Sequence, residues 1–204
     1  MNAIQPNPAH VKLTEYNFIV CADASGSMTE TDGTSRSRWD RMQETLGAFV
    51  RDVEKFDSDG LGLVIFGGAD ITSKDGVTSA NIADVLSTRR PMGGTPLHMA
   101  LTEALKMAGK SDKKAFILVF TDGVPDDKQK AADVIVNQSN SQKTDDERTF
   151  LFVQVGSNRE ASDYLRHLDD GLKAAKFDIV DAKTIEEAEK FPSTADLVIH
   201  AIND

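Results

Sequence analysis

The chain has 204 residues, 40% apolar and 27% charged, and its 33 acidic against 23 basic side chains give a net charge of −10. That length supports one substantial core, and the acidic balance argues against non-specific attachment to nucleic acid or anionic membrane, which needs clustered Lys and Arg. The single cysteine, Cys21, excludes an intramolecular disulfide and any multi-cysteine zinc site, so a reducing, cytoplasmic setting is the expectation.

Residues 1 to about 13 read as a loose arm, polar at its start, with two prolines and no secretory pattern of a basic start and apolar core. Residues 14–204 read as one domain. No run approaches the ~18 apolar residues of a membrane span. Tyr16 to Ala22 is nearly continuous in apolar residues, the mark of a strand covered on both faces. Met28 to Arg38 is rich in Thr, Ser, Asp and Gly and forms a loop. Trp39, Met42, Leu46, Phe49, Val53 and Phe56 recur at helical steps, predicting a helix from about Arg38 to Phe56. Asp57-Ser58-Asp59-Gly60 lacks the full calcium-loop pattern and reads as a turn.

Leu61 to Phe66 is a second buried strand. Ile71 to Thr78, with its Lys74-Asp75-Gly76 turn signal, is an edge hairpin or short strand. Asn81 to Leu86 is a short helix with Ser79 as its expected cap. Thr95-Pro96 opens a helix whose buried stripe is Leu97, Leu101, Ala104, Leu105 and Ala108. Ala115 to Phe120 is a strand, and Asp126 to Asn137 a helix in which Asp126 and Asp127 serve as cap and dipole-favoured acids. Ser139 to Arg148 is a loop or frayed helix end. Thr149 to Val155 is a strand, Arg159 to Lys176 a helix, and Phe177 to Asp181 a last strand. Ile185, Ala188 and Phe191 mark a final helix that Asp196 to Ile202 extends past Pro192.

Strands and helices alternate throughout, which predicts an α/β, doubly wound fold. The sheet is expected to be six-stranded and mostly parallel, with helices on both faces. In such sheets ligands bind at the carboxyl ends of strands where strand order reverses. Three oxygen-rich stretches fall at such ends: Asp23-Ala24-Ser25-Gly26-Ser27, Gly93-Gly94-Thr95-Pro96 and Thr121-Asp122-Gly123. Ser25 and Ser27 flank a glycine that permits a tight turn, so both hydroxyls can face one point. Thr95 adds a third hydroxyl, Asp23 at the strand end below accepts hydrogen bonds from ligating waters or hydroxyls, and Asp122 adds a second carboxylate, directly or through water. Five oxygen donors suit a hard cation, Mg²⁺ with Mn²⁺ or Ca²⁺ as alternatives. Three of the five are neutral, so the metal stays electrophilic and keeps an open position for an external carboxylate.

The pattern Asp23-x-Ser25-x-Ser27, then Thr95, then Asp122 in Thr-Asp-Gly, resembles the metal-ion-dependent adhesion site of the von Willebrand factor type A (vWA) family. The resemblance extends from about Tyr16 to Phe191. It implies that Ser25, Ser27 and Thr95 ligate the metal while Asp23 and Asp122 act mostly through water. It further implies a Rossmann-like fold with one antiparallel edge strand, for which the Ile71 to Thr78 region is the candidate, and a protein partner that supplies a Glu or Asp carboxylate to the metal. Movement of the last helix, about Thr184 to Phe191, belongs to the same expectation. Stand-alone intracellular members of this size resemble the bacterial tellurite-resistance and stress type. Two rival readings stand beside this one: a structural subunit with a non-essential metal site, and a metal-assisted hydrolase. The second lacks a visible general base, a Gly-x-Ser-x-Gly elbow and a Gly-Lys-Ser/Thr phosphate loop, and the expectation is a non-enzyme.

Overall fold

The computed structural model describes residues 8–204. Residues 1–7 of the expected arm lie outside the described residues. The rest of that segment is helical: α1 (Pro8–Val11) runs into a 3₁₀ turn, Lys12–Glu15, and Leu13 is buried. Then follow β1 (Tyr16–Asp23), α2 (Arg38–Val53), β2 (Leu61–Gly67), β3 (Asp70–Val77), α3 (Ile82–Ser87) and α4 (Leu97–Ala108). The second half contains β4 (Lys114–Thr121), α5 (Lys128–Ser141), β5 (Arg148–Gln154), α6 (Arg159–Asp170), β6 (Val180–Thr184), α7 (Ile185–Ala188) and α8 (Thr194–Ile202).

The six strands lie in the order β3-β2-β1-β4-β5-β6. All neighbours are parallel except β2 and β3, so β3 is the antiparallel edge strand. Side-chain alternation divides the apolar runs between two layers. Phe18, Val20 and Ala22 of β1 join Phe116, Leu118 and Phe120 of β4 under α2 and α8. Ile19 and Cys21 join Ile117 and Val119 under α4 and α5. This two-sided burial is why the central strands read as continuous apolar segments. Leu118 is 1% exposed in mid-sheet. Leu118→Ala should cost about 3 kcal/mol through lost transfer energy and a residual cavity. That loss appears as a lower denaturant midpoint at unchanged slope; an unshifted midpoint would contradict the packing described.

The stripe on α2 falls as expected, and the helix starts at a capping box: Asp40 N–H donates to Ser37 Oγ (3.1 Å) and Ser37 N–H to Asp40 Oδ2 (3.2 Å). Four local expectations are corrected. Ser79 caps no helix; its hydroxyl donates to Glu54 Oε2 (2.8 Å), and Asn81 occupies the N-cap position of α3. Helix α6 stops at Asp170, before Gly171, not at Lys176. The last strand is Val180–Thr184, displaced from 177–181, because Phe177 and Ile179 pack against the layer below before the chain joins β5. The final helix is two helices: Pro192 separates them, and Ser193 accepts from Asp196 N–H (3.1 Å) to start α8 afresh.

Strand β1 lies between β2 and β4, so the strand order reverses there. The resulting crevice is at the carboxyl ends of β1 and β4, where Asp23 and Asp122 stand. Among the described residues no helix is long and apolar enough to cross a membrane.

Candidate metal centre

Asp23 is the last residue of β1 and is fully buried. Its Oδ2 accepts from Thr121 Oγ1 (2.7 Å) and its Oδ1 from the Ser25 N–H (2.8 Å). Burial pushes its pKa up to about 7; the Thr121 and Ser25 hydrogen bonds oppose this and the neighbouring Asp122 charge adds to it. After Asp23 the chain curls into a 3₁₀ turn, Gly26–Thr29. The curl brings Ser25 Oγ and Ser27 Oγ to 3.2 Å, and Ser27 Oγ donates to Asp122 Oδ1 at 2.9 Å.

The Thr95 loop is held against this turn by backbone bonds. Gly26 N–H donates to Gly93 O (2.9 Å), Met92 N–H to Ala24 O (2.8 Å), and Gly68 N–H to Gly94 O (2.9 Å). Gly93 has φ of +74°, and a Cβ there would stand 2.5 Å from Gly68 Cα, so the approach of the two loops requires glycine. The Thr95 hydroxyl borders the same space as Ser27: a Cβ on Gly123 would lie 3.7 Å from Ser27 Oγ and 4.0 Å from Thr95 Oγ1. Asp122 is fully buried, and Thr95 is 6% exposed.

The roles of three neighbouring residues escaped sequence reasoning. Thr121 anchors Asp23, as above. Asp126 does not cap α5, which is the work of Asp127 (Lys130 N–H to Oδ1, 3.0 Å). Asp126 Oδ1 instead accepts from the Thr95 N–H (2.9 Å), while its own N–H donates to Thr95 O (3.0 Å). The pair fixes the Thr95 loop to the β4–α5 loop.

The third is Arg38, 8% exposed at the first position of α2. Its Nη1 donates to Asp122 Oδ2 (2.8 Å), its Nε to Asp32 Oδ2 (2.7 Å), and its Nη2 pairs with Glu30 Oε2 (2.9 Å). The Asp32 hydrogen bond, then Asp122, raises its already high pKa against the effect of desolvation. Burial pushes Asp122 up, and the Arg38 and Ser27 bonds offset part of that rise. A signal for Arg38 existed in the sequence. A cation at a helix N-terminus opposes the macrodipole, and so asks for an acidic partner.

The structure thus joins Ser25, Ser27 and Asp122 by direct hydrogen bonds, sets Thr95 beside them and places Asp23 immediately beneath. Oδ1 of Asp122 faces the serines while Oδ2 is held by Arg38. Hydroxyl and carboxylate oxygens brought together from three loops form a donor set suited to a hard divalent cation.

The chain matches the family model for the von Willebrand factor type A domain over residues 18–124. The VWA domain of SpRpn10 superposes with a TM-score of 0.63 at 14% identity, covering 90% of this chain and 93% of that one. Manganese-loaded TRAP protein of Plasmodium vivax gives 0.60 at 16% identity, covering 86% and 71%. The D319A mutant of the PilB minor pilin from Streptococcus sanguinis gives 0.59 at 12% identity, covering 93% and 60%. A comparison with curated protein sequences gives no match. The likenesses of structure are likenesses of fold; the family model spans more than half of the 204 residues, and the chain belongs to the von Willebrand factor type A domain family.

Proposed function

We infer that this domain is a non-catalytic, metal-dependent protein-binding module. Ser25, Ser27 and Thr95 hold one Mg²⁺, or Mn²⁺ or Ca²⁺ in its place, and Asp23 and Asp122 orient the hydroxyls and the metal's waters. The observation that carries this reading is the continuous Ser25–Ser27–Asp122 chain, at 3.2 and 2.9 Å, next to the Thr95 hydroxyl. When bound, the cation supplies an electrophilic contact for a Glu or Asp carboxylate of a protein partner.

The protein's own residues do the rest. Thr121 and the Ser25 backbone hold the Asp23 carboxylate, Arg38 holds Asp122, and Asp126 holds the Thr95 loop. Met92 (63% exposed) stands beside Gly93, and Met99 (44%) lies on the first turn of α4. Both supply apolar contact to a partner docking on this face. The resemblance to stand-alone intracellular members supports a cytoplasmic module of the bacterial stress or tellurite-resistance type.

Calorimetric titration with MgCl₂ tests the metal. Wild type should bind one Mg²⁺ at this site, and Asp23→Ala should weaken it by about 100-fold, the upper range for losing an orienting partner. Equal binding by both proteins would refute the assignment. The partner claim is tested by affinity capture with Mg²⁺ or EDTA, the captured protein then being mutated at its acidic contact. Capture that survives both treatments would contradict a metal-bridged carboxylate.

A further inference from the structure

A second group of acids lies at the β6 edge of the sheet. Asp169 ends α6, Asp181 lies on the edge strand β6, and Asp204 follows α8. One carboxylate oxygen from each lies within 4.8 Å of the others. Asp181 is 1% exposed, and among the described residues its Oδ2 has no hydrogen-bond partner, although buried carboxylate oxygens are almost always satisfied. Its other oxygen, Oδ1, pairs closely with Lys183 Nζ. Lys183 therefore answers one oxygen of one carboxylate and leaves the rest.

Three carboxylates against one ammonium leave a local charge of about −2, the charge of one divalent cation. Asp170 and Asp178 deepen the negative field at the same edge. The donors are oxygens only, and they come from irregularly spaced positions: the end of α6, strand β6 and the residue two beyond α8. That suits Ca²⁺, which accepts variable coordination, better than Mg²⁺, which demands a near-ideal octahedron.

This site is separate from the Asp23 cluster. The register Val20↔Leu118↔Leu151↔Asp181 places Asp181 three strands from β1. Three strand spacings are about 14 Å, too far for a shared ion. The two layers meet here as well: α6 belongs to one and α8 to the other.

We propose that Asp169, Asp181 and Asp204 form a second, structural divalent-cation site of calcium type. The bound ion answers the orphaned Asp181 oxygen and clasps α6 and α8 to the edge strand.

The test is calorimetric titration of the full chain with CaCl₂, for wild type, Asp181→Asn and Asp23→Ala, with circular dichroism to establish folding. Asp181→Asn should lose one binding event or weaken it by about 10-fold or more, since ligand charge count sets affinity in such sites. Asp23→Ala should retain that event. Asp169→Asn removes a half-exposed carboxylate and carries the same expectation if Asp181→Asn does not fold. Calcium binding in Asp181→Asn or Asp169→Asn indistinguishable from wild type overturns the proposal. The first site is judged separately: its failure appears as an Asp23→Ala titration unchanged from wild type, whatever the Asp181 variant does.

Discussion

Arg38→Met should lower the stability of the cation-free protein by about 3 kcal/mol, because it leaves the fully buried Asp122 carboxylate without its ionic partner. For a domain of this size that corresponds to a fall in Tm of roughly 6–12 °C. Methionine keeps most of the stem volume, so the loss reports charge pairing more than packing. Saturating Mg²⁺ should restore much of it, since the cation places positive charge beside the same carboxylate. The same linkage requires the variant to gain more stability from Mg²⁺ than wild type does. Arg38 also carries the Asp32 and Glu30 contacts, so the 30–37 loop should become more protease-sensitive in the variant. An Arg38→Met melting curve that matches wild type without metal would show that Asp122 does not depend on this guanidinium.

The cation-free protein should be less stable at pH 8 than at pH 5.5, the reverse of a protein dominated by paired surface acids. Asp23 is raised from 3.8 to about 7 on folding. An acid raised in this way binds its proton more tightly in the folded state. Its stabilising contribution is complete below about pH 4 and is lost as pH climbs to about 7. Between pH 5.5 and 8 the loss is about 2 kcal/mol, or roughly 4–8 °C in Tm. Asp169, raised from 3.8 to about 6, acts in the same direction over a lower window. The lowered acids, among them Asp32, Asp52 and Asp146, have titrated fully by pH 5.5 and do not oppose the trend. Divalent cation should flatten or reverse the slope, because it stabilises the ionised cluster. Thermal melts in EDTA across this range check the prediction, and stability that rises from pH 5.5 to pH 8 would contradict it.

The parts of this molecule legible in its sequence are those where one physical term dominates. The central strands are buried on both faces and so appear as unbroken apolar runs. The stripe on α2 has no competing signal. The Asp-x-Ser-x-Ser turn, Thr95 and Asp122 could be grouped because each sits where a strand ends or a helix begins. Features decided by long-range contact were not legible. Strand β6, Val-Asp-Ala-Lys-Thr, carries Asp181 and Lys183 on one face and ends on Thr184, so hydrophobicity pointed three residues too early. Asp126 looks like a helix cap in sequence, but its carboxylate is drawn 31 residues back to the Thr95 N–H. Arg38 signals its need for an acid by standing at a helix N-terminus, but only the fold shows that the acid is Asp122, 84 residues away. The helix break at Pro192 and Ser193 could have been read locally, since proline followed by serine marks a new helix start.

The central claim is that three loops build one cation site with Ser25 and Ser27 at its heart. Anomalous diffraction from crystals grown with saturating MnCl₂ tests it most directly. The account predicts an anomalous peak within coordination distance, roughly 2.0–2.6 Å, of the Ser25 and Ser27 hydroxyls, with Thr95 and Asp122 around it and Arg38 still on Asp122. A well-ordered cluster with no peak at that position would contradict it.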